Sequence, residues 1–408
     1  MPPKSSLAPH NLSPPLRQLF LQHVAQTSPQ PLLLEITHAE GIFLYDALGK
    51  AYYDAISGIS VSNLGHGNPA VVAAVQQQAA NFMHLMVYGE VVHAPQVQFA
   101  HLLCQNLPQQ QLNSVYFVNS GAEAVDGALK LAKRYTGRTQ LVGFNNAYHG
   151  STHAALSLMG NEYFKQAYRP LLPDVKHLPF NNEVALQQIT QQTAAVLMEV
   201  VQAEAGVILP NPKFLTAVRQ RCNEVGALLI FDEIQTGLGR TGTLFAFEQF
   251  SVIPDILLLA KALGAGMPIG AFITSQQIME VLKTNPVLGH ITTFGGHPVC
   301  CAAGLAGLQV LLSTNYINEV EQKSALFGQL LKHPKIINLR RAGLLMAIEF
   351  ESEQFNQQVI THCLQRGLLT DWFLFAPNCL RLAPPLTITT EQIRAICQLI
   401  IESINAEF

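Results

Sequence analysis

SVYFVNSGAEAVDGALKLAKRYTGRTQLVGF, Ser114 to Phe144, reads as strand, turn, helix, turn and strand in one continuous stretch. Ser114 to Asn119 and Gln140 to Phe144 are short and almost wholly apolar, as strands covered on both faces must be. Between them, Ala122 to Tyr135 repeats its apolar residues with a helical period, and Gly137 follows it as a left-handed cap. The same alternation continues to about Ser275. Strands are predicted at Ala195 to Val201, Ala227 to Asp232, Asp255 to Leu259 and Ile269 to Thr274, and a helix at Phe214 to Val225 that closes on Gly226. This pattern is that of a doubly wound α/β unit with a mostly parallel sheet.

On either side of that unit the pattern changes. Gly41 to Asp54 alternates like a hairpin with its turn at Leu48, Gly49 and Lys50. Val299 to Leu312 reads as a helix. Ile336 to Phe408 is mixed, with strand-like Leu344 to Phe350 and Cys379 to Leu382 and a closing helix from Thr390 to Ile404. The divisions expected are an N-terminal segment, 1–65, contributing to a smaller α+β domain; a large domain, 66–295; and a C-terminal part of the small domain, 296–408. No internal repeat is visible.

Charged residues are only 12% of the 408 and apolar ones 49%, so little of the chain is spent on solvated surface. A large interface between subunits would account for that. The net charge of −3, without a cluster of lysines or arginines, offers no field to attract nucleic acid. The seven cysteines are odd in number, lack CxxC spacing and lie mostly in apolar runs. They read as buried thiols in a reducing compartment, and no metal site is expected. The opening MPPKSSLAPHNLSPPLRQLF is broken by prolines and lacks the apolar core of a secretory signal. Val299 to Leu312 is too short to span a bilayer of about 30 Å. A cytoplasmic protein, unattached to membrane, is the expectation.

Three pieces carry chemistry. Asn119 to Ala124, NSGAEA, stands where a strand gives way to a helix. Small residues at Ser120, Gly121 and Ala122 let backbone approach an anion, and the free amides of the first turn point at it. Leu228 to Gly242, LLIFDEIQTGLGRTG, brings Asp232 to the carboxyl edge of the sheet, where it could hold a ring nitrogen protonated. Leu257 to Phe272, LLLAKALGAGMPIGAF, sets Lys261 between an apolar strand and a glycine-rich turn. Desolvation there lowers the lysine's pKa and makes its amine nucleophilic toward an aldehyde. Each piece alone also has a structural explanation, as a cap, a strand-end acid or a snorkelling lysine.

Together they resemble the class III aminotransferases of the fold type I pyridoxal-phosphate enzymes, and the resemblance covers nearly the whole chain. It also includes SGISVSNLGHGNP (Ser57 to Pro69), AYHG (Ala147 to Gly150), MEVVQAEAGV (Met198 to Val207), TTFGGHP (Thr292 to Pro298) and LRLAPPLTI (Leu380 to Ile388). The resemblance implies a cofactor, pyridoxal 5'-phosphate, carried by Lys261 as a Schiff base. Its phosphate would be held by Ser120, Gly121 and Ala122, with Thr293 reaching it from the second subunit of a homodimer. Tyr148 would stack on the ring, Asp232 pair with the ring nitrogen and Gln235 bond the phenolic oxygen. Arg381 would receive a substrate carboxylate, with Glu204 as its partner when the substrate has none. Tyr88, Ile59 and Val61 stand where relatives line the substrate pocket, though interface packing explains them as well.

The implied reaction moves an amino group from a small amine or amino acid, an ornithine- or acetylornithine-like or other omega-amino donor among them, to a 2-oxo acid by two half-reactions. Amine transamination, decarboxylation and intramolecular amino shift share the same cofactor residues; a binding protein that kept the fold is a more distant alternative. One position departs from the family. Carboxylate-binding members follow the AYHG block with an arginine, and this chain has Ser151, so that subsite is expected to hold a carboxylate poorly. Val200 and Ala203 replace proline and glycine of many relatives near Glu204. His149 and His66 are expected to be structural, and Trp372 to pack in the C-terminal unit.

Overall fold

The computed structural model describes residues 15–108 and 110–406. Most of the N-terminal stretch judged to lack a signal lies outside them.

Seven strands form the central sheet, in the order Ser114–Val118, Gly270–Thr274, Ile256–Leu259, Leu228–Asp232, Thr193–Glu199, Gln140–Phe144 and Val175–Leu178. Gly270–Thr274 runs antiparallel to both neighbours, and every other pairing is parallel. Five of the strands are buried at every residue, which explains their unbroken apolar runs: helices cover both faces of the sheet. Val175–Leu178 was not anticipated. It is an edge strand of four residues whose Lys176 and His177 break any apolar run.

Helix Gly121–Thr136 begins where Ser120 accepts a hydrogen bond from the Glu123 amide. Glu123 in turn accepts from the Asn119 amide at 2.7 Å, so the strand-to-helix turn is fixed from both sides. The helix ends on Gly137 in the left-handed conformation. Helix Pro212–Val225 starts two residues ahead of the predicted one, because Asn211 caps it and Pro212 suits the first turn.

Described segments from the first and last parts of the sequence meet. Hairpin Phe43–Asp46 and Ala51–Asp54 forms as the sequence suggests, preceded by an additional strand, Ile36–Glu40, and joined in parallel by Leu368–Leu369 from the far end of the chain. A second four-stranded sheet pairs Asn338–Ala342, Leu345–Glu349, Ala376–Leu382 and Asp371–Phe373, all antiparallel. Arg240 fastens these parts to the centre. It is fully buried and donates to the Leu344 carbonyl at 3.0 Å, the Pro384 carbonyl at 2.5 Å and Asn63 Oδ1.

Helix Pro298–Ser313 packs its small residues against the large unit. At Gly304 a Cβ would come within 2.5 Å of the Phe99 ring, so only glycine permits the approach. Among the described residues no single helix is long and apolar enough to cross a membrane.

Candidate active site

The parallel strands of the sheet point their carboxyl ends at one cleft, as open α/β folds do. Asn119 follows Ser114–Val118; Tyr148 and His149 follow Gln140–Phe144; Glu199 ends Thr193–Glu199; Asp232 ends Leu228–Asp232; Lys261 follows Ile256–Leu259. All of these line a cavity of about 470 Å³, together with Ser120, Gly121, Ala122, Ser151 and Gln235. The three chemical pieces of the sequence therefore share one space.

Lys261 has a positive φ of 48° at the turn that follows its strand. Its Nζ donates to Gln235 Oε1 at 2.8 Å. Burial pulls the amine's pKa down to about 8; Glu204 and Asp232 oppose that fall, and Arg381 adds to it. Asp232 accepts from the Ile234 amide with one oxygen and from His149 Nδ1 at 2.7 Å with the other. The imidazole is wholly buried, and this contact makes Nδ1 the protonated nitrogen. His149, expected only to be structural, thus aims the carboxylate. The acid beside Asp232 in sequence does something else: Glu233 accepts from the Ala246 and Phe247 amides and holds the following loop.

Glu199 carried no assignment from the sequence. It accepts from the amides of Tyr148 at 3.0 Å and Ala203 at 2.9 Å, thereby tying together two loops of the cleft. Burial first, and the nearby Asp232 second, push its carboxyl up to about 8. Its signal lay in the MEVVQAEAGV block, but only the strand register shows which neighbours it meets.

Arg381 and Glu204 are not in the cavity lining but act electrostatically on Lys261; they form a bidentate pair, at 2.8 and 2.9 Å, with each residue nearly inaccessible. Burial raises the Glu204 carboxyl, but the arginine outweighs that and holds it below its ordinary value. Val61 lines the cleft, whereas Ile59, Tyr88 and Thr293 are not part of its wall within this chain. Ser151 is in the wall, its hydroxyl 3.4 Å from that of Tyr148, and among the described residues Lys261 is the only lysine or arginine of the lining.

The lining suits a phosphorylated pyridine. At Gly150, where φ is 124°, a Cβ would fall 2.7 Å from Ala122 Cβ, so glycine alone lets the Tyr148 loop close on the start of helix Gly121–Thr136. The first amides of that helix are free by geometry for an anion. Gln235 Nε2 is buried with no partner, a donor that an acceptor in the cleft would satisfy.

The sequence model of the class III aminotransferases matches residues 24–404. Among solved structures, a transaminase from the marine bacterium Virgibacillus is 28% identical, with a TM-score of 0.89 over 95% of this chain and 98% of that one. The ornithine aminotransferase of Toxoplasma gondii is 31% identical, with a TM-score of 0.88 over 95% and 94%. An amine transaminase from an uncultivated Pseudomonas species, in its PLP-bound form, is 25% identical, with a TM-score of 0.84 over 94% and 97%.

Proposed function

The chain belongs to the class III aminotransferases and transfers amino groups with pyridoxal phosphate, and from that premise we propose that its donor carries a neutral or cationic distal group and its acceptor is a 2-oxo acid held by Arg381. The observation that carries this is Ser151. It stands in the cleft wall at the position where the family resemblance puts an arginine, and among the described residues Lys261 is the only lysine or arginine of the lining.

The fit of the cleft supports the following cofactor residues. Ser120 and the amides of Gly121 and Ala122 would take the phosphate at the helix N-terminus, with Thr293 of a second subunit beside them. Tyr148 would cover one face of the ring. Asp232, held by His149, would meet the ring nitrogen, and the unpaired Gln235 Nε2 would donate to the phenolic oxygen. When bound, pyridoxal phosphate supplies an aldehyde to capture amines and an electron-poor ring that stabilises a carbanion beside the captured nitrogen.

Lys261 has two tasks. Its Nζ would hold the cofactor, and when free the same nitrogen, buried at the cleft, would accept a proton from the donor carbon and later donate it. The depressed pKa of about 8 leaves a useful share of neutral amine near neutrality. Glu204 covers Arg381 while an uncharged or cationic donor reacts and gives way to the acceptor's carboxylate in the second half-reaction. A cytoplasmic homodimer, with the small domain built from 1–65 and 296–408 around the large domain 66–295, completes the reading.

A donor panel with pyruvate as acceptor tests it. Diamines and monoamines should exceed donors bearing a distal or second carboxylate by at least tenfold in kcat/KM, roughly the discrimination one missing charged pair gives. Faster turnover of the acidic donors would overturn the assignment.

A further inference from the structure

Arg381 is held by more than Glu204. In the antiparallel pairing of Asp371–Phe373 with Ala376–Leu382, Asp371 lies directly opposite Arg381, so the two side chains share a face of the sheet. Asp371 Oδ1 comes within 2.9 Å of Arg381 Nε. On the same strand the Trp372 carbonyl accepts from Arg381 at 2.8 Å, and the Phe373 ring lies 4.4 Å below the guanidinium carbon. Glu204 occupies the two terminal nitrogens. A single buried guanidinium therefore has two carboxylates, one on each edge.

We propose that Asp371 is a positioning residue that sets how strongly Arg381 binds carboxylate substrates. The inference rests on the reading of Arg381 as the acceptor site. When Glu204 gives way, Asp371, Trp372 and Phe373 keep the guanidinium in place, so its fork stays aimed. The same contact neutralises its charge from behind. An incoming carboxylate then replaces Glu204 one for one and meets no surplus of positive charge. Weak, readily reversed binding of the acceptor follows, and so does a local balance that tolerates cationic donors.

The charged groups around Asp371 are Arg381 on the facing strand, Glu204 from the loop after Thr193–Glu199, and Asp54 on strand Ala51–Asp54, itself bonded to His66 at 2.8 Å. Burial pushes the Asp371 carboxyl up to about 6, Arg381 opposing and Glu204 adding. Above that pH Asp371 offsets Arg381; below it the arginine's charge is uncovered. Affinity for carboxylates accordingly strengthens as pH falls through about 6.

The test uses Asp371→Asn in the holoenzyme, which keeps the shape and removes the charge, alongside Asp371→Glu and Arg381→Lys. Two readouts are taken from pH 5 to 8: the KM for pyruvate, and the binding of propionate, a carboxylate that cannot react, followed by the fluorescence of Trp372, the sole tryptophan. Asp371→Asn should tighten both about tenfold above pH 6, with kcat nearly unchanged, and should flatten the pH dependence. Asp371→Glu should restore it. If Arg381→Lys weakens pyruvate while Asp371→Asn leaves affinity and pH profile as in the wild type, Asp371 is only structural and the inference fails. If neither substitution moves carboxylate binding, the reading of Arg381 falls, and this inference with it. Should Asp371→Asn not fold, a pH-independent KM in the wild type would refute the inference, and an unaltered pH profile in Asp371→Glu combined with a flat one in Arg381→Lys would support it.

Discussion

Lys261 shows how much a single residue owes to its surroundings. Burial lowers its pKa, two carboxylates resist, and Arg381 reinforces the fall, for a net value of about 8. A lysine of ordinary pKa would be almost fully protonated at neutral pH and slow to attack an aldehyde. The rate at which cofactor-free protein captures pyridoxal phosphate should therefore rise with pH and level off above about 8, as the neutral amine saturates. Stopped-flow absorbance reads this directly, and a rate still climbing steeply through pH 10 would count against it. The sequence shows Lys261 and Asp232 plainly, since each ends or follows an apolar strand in a distinctive block. It does not show that His149 aims Asp232, or that Asp371 faces Arg381, because those pairings depend on loop return and cross-strand register. Neither leaves a periodic trace.

Among the elements, the loop around Arg240 bears the joint between the central sheet and the parts built from the chain ends. Its guanidinium satisfies Leu344 and Pro384 carbonyls and Asn63 in a site without water access. Arg240→Met would leave those acceptors unpaired, at a cost of about 3 kcal/mol. Urea unfolding would show the loss as a lowered midpoint; an unchanged midpoint would mean that the joint is held otherwise. Legibility differs between elements for a physical reason. Strands such as Leu228–Asp232, buried on both faces, read directly as apolar runs. Val175–Leu178, at the sheet edge, and Ile36–Glu40, largely exposed, carry no such signature, and their pairing is decided by neighbours distant in sequence. Helix boundaries moved by a residue or two where caps such as Asn211 set them.

For the whole molecule, the proposed homodimer would link surface and site. Segments 82–92 and 287–294 adjoin, with the rings of His84 and Phe294 4.8 Å apart, and they expose Met83, Val92, Val287 and Phe294 at 64%, 88%, 71% and 54%. Thr293 lies within this surface and outside its own chain's cleft. Such a face fits burial against a second copy, which would carry Thr293 to the partner's phosphate site. Phe294→Asp should shift sedimentation from dimer toward monomer and reduce retention of the cofactor; a stable dimer with full cofactor content would place the interface elsewhere. The central claim is that one cleft gathers the amine of Lys261, the carboxylate of Asp232 and the amides after Asn119 around pyridoxal phosphate. Borohydride reduction of the purified protein, followed by peptide mass spectrometry, tests it most directly: the phosphopyridoxyl group should be found on Lys261 alone, and its presence on another lysine, or on none after incubation with the cofactor, would contradict the claim.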